Sequence, residues 1–182
     1  MSPDGVNLAR NLVVRTDSAG LASVWLTLGT EASPGGNSVR AWSEHFGEDV
    51  IFTATATRGL PFYTLIDRGP SAQFVQTDAP PVDALSAAVF DRHYNRMIGV
   101  AVRYKIVNGE AKFTAMPGAV LAPDTQSITV TTDKNGTASV RPLAGRTPGT
   151  VRILAQAMLS PTTVAGQAMF QLMVLERKTD PT

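Results

Sequence analysis

Cysteine is absent from the 182 residues. That excludes a disulfide framework, a thiolate-held zinc and a thiol nucleophile. Charge is scarce as well: charged residues make up 17% of the chain, below the usual ~25%. The 16 basic and 15 acidic residues leave a net charge of +1, so no field of one sign gathers nucleic acid or coats an acidic membrane. No apolar run approaches the ~18 residues of a membrane helix, and Met1-Ser2-Pro3-Asp4-Gly5 has no signal-peptide character. Helical periodicity is nearly missing. Only residues 81–90 suit a short helix, and Ser86 to Phe90 suit a strand equally well. What is present is 43% apolar residues, enough for a packed core, punctuated by 15 Gly and 12 Pro.

The chain repeats itself. Thr16-Asp17-Ser18-Ala19-Gly20-Leu21-Ala22-Ser23-Val24 recurs 116 residues later as Thr132-Asp133-Lys134-Asn135-Gly136-Thr137-Ala138-Ser139-Val140. The flanks correspond in kind: Leu12-Val13-Val14 with Ile128-Thr129-Val130, Ser38 to Ala41 with Arg152 to Ala155, and Val50 to Ala54 with Met169 to Val174. Four matched segments in one order mark a tandem repeat. Residues 59–182 form a complete unit, and residues 1–58 hold only the later half of one. Without its first half a unit cannot cover its core face or pair its edges. The half-unit is then either a piece of a longer array or is completed by another chain.

The apolar runs are short, β-branched and bounded by turn residues. Ala22 to Leu28 alternates, and so does Val100-Val102-Tyr104-Ile106, with Arg103 and Lys105 on the opposite face of a half-buried strand. Glu110–Ala115, Ser127–Thr132, Thr137–Arg141, Thr150–Ala157 and Gln167–Leu175 follow as strands, and Phe62 to Ile66 begins the second unit. This spacing predicts an all-β fold: tandem β-sandwiches, the first incomplete at its N-terminal side. Val89, Val100, Val102, Tyr104, Phe113, Ile128, Val130, Val140, Val151, Ile153 and Phe170 are the expected core. Asp133-Lys134-Asn135-Gly136 reads as a hairpin turn: Asp accepts local N–H groups, Asn tolerates a left-handed conformation and Gly takes positive φ. Asp17-Ser18-Ala19-Gly20 is its weaker counterpart.

These residues resemble the bacterial immunoglobulin-like repeats of the invasin and intimin type. Ala88 to Tyr104 fits the family's early strand and "D-x-x-G-N-P-V-x-G-V-x-V-x-F" stretch, and Val107 to Ala111 fits the "V-x-x-G-x-A" continuation. Thr131 to Ala138 fits the "T-T-D-x-x-G-x-A" hairpin, and Val50 to Ala56 the closing strand of a preceding repeat. Met97 stands where the family has Pro, Arg92 to Asn95 lack its Gly, and Ala19 replaces Asn in the first hairpin. The resemblance implies immunoglobulin-like sandwiches in series on a bacterial surface or secreted protein, acting as stalks and adhesins. It carries over no catalytic residues.

Chemistry is hard to find in the residues. There is no Gly-x-Ser-x-Gly elbow, no His-Glu-x-x-His helix and no Gly-rich loop opening a helix. His45 lies among Glu44, Glu48 and Asp49, a set that would suit a divalent metal, but it reads as a solvated loop because a site needs three or four convergent ligands. His93 sits beside Asp91 in a turn with no nucleophile placed for a triad. No cofactor, metal or enzymatic activity is expected. Trp25, Trp42 and Tyr94 are the candidate ligand contacts, through stacking on a sugar. For Trp25, burial under an absent half-domain is the preferred reading, because a missing sheet leaves apolar residues looking exposed. The expectation is therefore a structural and interaction module, a stalk or spacer. The alternatives are a carbohydrate- or protein-binding module and a subunit completed by β-strand addition. Its partners would be neighbouring repeats or another chain at exposed strand edges, or a surface glycan or protein receptor. Nucleic acid and membrane insertion are not expected, and the location would be extracellular or on the cell surface.

Overall fold

The computed structural model describes residues 10–33 and 35–177. In the first unit β1 (Asn37–Ser43) and β2 (Phe46–Ala54) pair as an antiparallel hairpin. The second unit has two facing sheets. One is built from β3 (Tyr63–Arg68), β5 (Leu85–Phe90) and β10 (Thr137–Val140), in the order β10-β5-β3. The other holds β4 (Ala72–Gln76), β6 (Ala101–Asn108), β8 (Ala119–Leu121), β9 (Ser127–Thr131), β12 (Gly149–Met158) and β13 (Val164–Leu175), in the order β4-β13-β12-β6-β9-β8. β7 (Ala111–Lys112) and β11 (Leu143–Ala144) make a short separate pair. Among the described residues no helix occurs. The fold is an all-β sandwich of immunoglobulin-like kind.

Alternation builds the core. In β6 the side chains of Val102, Tyr104 and Ile106 turn inward while Lys105 stays outside, and in β12 Val151, Ile153, Ala155 and Ala157 do the same. Phe170, Leu172 and Val174 of β13 complete that layer. They face Leu85, Ala87 and Val89 of β5 and Ala138 and Val140 of β10 in one apolar cluster. Each fully buried large side chain contributes about 1.5–3 kcal/mol. Of the expected core, Val130 alone is only partly buried, packed against the cluster.

Tyr104 joins the two layers. Its hydroxyl, carried by β6, bonds to Ala138 O at 2.7 Å and Leu85 O at 3.2 Å, and accepts from Ala87 N at 3.1 Å. Burial pushes its phenol well above the usual range. In a chain without cysteine this is a polar link across the sandwich.

Two expectations need correction. The turn at Asp133–Gly136 is closed by its own hydrogen bonds but does not join two paired strands, because β9 and β10 lie in opposite sheets. The chain reverses there, then crosses from one layer to the other. The segment 22–28, expected as a strand, and 12–14, the flank that matches the β9 segment 128–130, belong to no strand. Their counterparts β9 and β10 pair with β6, β8 and β5, whereas among the described residues no strand lies beside 12–14 or 22–28. A strand without a neighbour leaves its N–H and C=O groups to water.

Candidate functional site

Three five-residue turns share one geometry. At Asp17, Asp91 and Asp133 the carboxylate Oδ1 accepts the backbone N–H of the second and fourth following residues, all at 2.8–3.0 Å. In each the Asp N–H also donates to the carbonyl of the fourth following residue: Leu21, Asn95 and Thr137. The fourth turn position has positive φ, with Gly20 at 79°, Gly136 at 72° and Tyr94 at 63°. The first and third turns are the repeated motif. The second was visible in the sequence only as a turn around His93.

The turn at Asp91–Asn95 follows β5 and meets the first unit. Asp91 is 1% exposed. Its Oδ2 accepts Gly59 N at 3.0 Å and Asn95 Nδ2 at 2.9 Å. Asn95 reaches further: Oδ1 accepts Ala32 N and Nδ2 donates to Thr30 O, both at 2.9 Å. One side-chain amide thus imitates a strand's pair of backbone bonds. The segment before the β1–β2 hairpin, at 30–32, and the segment after it, at 59, are both tied to this single turn. Burial opposes ionisation of Asp91, but the donors from Asn95, Gly59 and His93 outweigh it and lower its pKa to about 2.

An aromatic cluster covers this joint. Tyr94 stacks on Tyr63, centroids 4.8 Å apart and planes 13° apart, and Phe62 meets Tyr63 edge-on at 4.6 Å. Arg92 lies over Phe62 at 5.1 Å and Arg96 over Phe90 at 5.2 Å. Arg96 also pairs with Asp67 at 2.5 Å and donates to Asn135 O at 3.1 Å, so it couples the second Asp turn to the third. Beside it Arg58, Arg96, Lys134 and Asn135 line a shallow depression of about 490 Å³.

The three residues singled out for ligand contact are not brought together. Trp25 is 100% exposed in a segment outside any strand. Trp42 is exposed on β1 under the Arg40 guanidinium. Neither has a ring partner among the described residues. Tyr94 alone sits in a cluster. His45 is exposed beside Ser43, and the described residues contain no group of three His or acidic side chains placed for a metal. Sequence reasoning missed Asp91 and Asn95 as joint residues, although the Asp-to-Asn spacing of four matches the Asp133-to-Thr137 turn. Only the folded chain shows what lies opposite Asn95.

No protein family matches the sequence, and no curated protein matches it. Among solved structures the chain is similar to the D00-D0 domain of intimin, with 18% identity and a TM-score of 0.38 over 76% of this chain. The match spans 66% of that structure, just under two thirds. The fold assignment rests on the strand topology.

Proposed function

We propose that this chain is a structural and interaction module of a bacterial surface or secreted protein, serving as a stalk or spacer. The observation that carries the reading is the joint at Asp91–Asn95, which bonds the segments on both sides of the β1–β2 hairpin, at 30–32 and at 59. Flexible linkers let tandem units swing. A joint held by several hydrogen bonds converging on one turn fixes their relative direction instead, as a spacer requires. The tandem repeat and the invasin- and intimin-like order of its segments support the surface assignment. Antibody labelling of intact cells of the source organism tests it. Labelling without permeabilisation is expected, and labelling only after permeabilisation would contradict it.

A second reading concerns partners. The β1–β2 hairpin pairs with no other strand among the described residues. Its Phe52 is 59% exposed, whereas Phe170 on the equivalent β13 is 0% exposed. In the second unit β6 and β4 flank the corresponding pair. Strands of a neighbouring repeat or of another chain would complete the hairpin by β-strand addition. Light scattering during size-exclusion chromatography over a concentration series tests this reading. Growth in mass with concentration is expected if copies supply each other's strands, and constant monomer mass would remove self-association as the route.

A further inference from the structure

We infer that Tyr94 and Arg92 form a binding site for a carboxylated sugar ring. The three Asp turns supply the first reason. Two place glycine at the positive-φ position, whereas the third places tyrosine there at φ 63°. A side chain with a Cβ in that region is strained, so the ring must be useful elsewhere. Burial does not explain it, since Tyr94 is 61% exposed.

The second reason is the ring's setting. One face of Tyr94 rests on Tyr63, and Phe90 lies 6.3 Å away on its flank. The stack fixes the ring, so a flat ligand binding its open side orders little that is not already ordered. The aliphatic face of a pyranose fits an aromatic surface of this kind. The bonds of Asp91 and Asn95 fix the backbone beneath.

The third reason is Arg92. Its guanidinium lies over Phe62 in the same cluster and has no carboxylate partner among the described residues. A stacked guanidinium leaves its N–H edge free for a carboxylate, held in a bidentate fork. A neutral sugar would leave that charge unused. The chemistry common to ring and guanidinium is a pyranose bearing a carboxylate, either a uronate or a sialate. The inference stands apart from the spacer reading, because a stiff joint needs Asp91 and Asn95 but no exposed ring at position 94.

The test is titration of the full ¹⁵N-labelled chain with trigalacturonate, sialyllactose and neutral lactose, followed by NMR. Shifts are expected at the Arg92 side-chain N–H and at residues 92–95 with at least one acid, at roughly millimolar affinity. Which acid binds identifies the source. Tyr94→Gly and Arg92→Gln are each expected to weaken binding about tenfold or more, and Trp25→Ala to leave it unchanged. Tyr94→Gly has the residue of its two sister turns, so it keeps the fold, which thermal melting checks. Absence of shifts with both acids would overturn the inference. So would equal binding of lactose, or binding lost in Trp25→Ala but kept in Tyr94→Gly.

Discussion

At the residue scale, two buried polar groups set testable terms. Asp91 has its pKa lowered to about 2, below the ~3.9 of an unfolded chain. A depressed carboxylate adds stability that is fully present above ~4 and is lost as pH falls toward 2. Thermal melts between those values should show this loss, and Asp91→Asn should flatten it. An unchanged slope in the variant would assign the acid sensitivity to other groups. Tyr104→Phe removes the hydroxyl that Ala87 N, Leu85 O and Ala138 O share across the layers. A cost of about 1–3 kcal/mol is expected, read as a lower urea midpoint at constant slope. Much of the core was legible at this scale, because alternation along β6 and β12 dictates which side chains turn inward. Asp91 and Asn95 were not. Their partners Gly59, Thr30 and Ala32 lie 32 to 65 positions away, and nothing local distinguishes such an Asn from a solvated one.

At the element scale, the repeated Asp turn is the unit that recurs, and its surroundings decide the effect of substitution. A Cβ at Gly136 would meet Arg96 Cβ at 2.8 Å and Met97 N at 3.1 Å, whereas one at Gly20 would meet nothing within 4 Å. Both glycines share positive φ, so both Ala variants bear the conformational cost of about 1 kcal/mol. Gly136→Ala should cost more than that, and Gly20→Ala only that, or less if its turn contributes little to global unfolding. Equal costs in chemical denaturation would contradict the crowding argument. The strands of the second unit were legible from β-branched runs and turn residues. The destination of β9 and β10 was not, since a turn sequence specifies a chain reversal and not the sheet each arm joins. Segments 12–14 and 22–28 carry strand patterning yet form no strand. A strand is a paired object, and its pattern cannot report a missing neighbour.

At the scale of the whole molecule, the sandwich and the hairpin unit are joined by one turn. Asn95 replaces backbone pairing where the segment at 30–32 meets the second unit. Asn95→Ala removes both of these bonds and the one to Asp91 Oδ2, while the Oδ1 bonds of the Asp91 turn and the Gly59 N–H on Oδ2 stay in place. It should therefore loosen the joint with little loss of the second unit's stability. The most direct measurement is pulsed electron-spin distance spectroscopy on spin labels at Ser38→Cys and Lys112→Cys, both exposed positions in a chain with no native cysteine. The account predicts a narrow distance distribution that broadens clearly in Asn95→Ala. A broad distribution in the parent chain, or the same narrow one in the variant, would contradict a joint set by this turn.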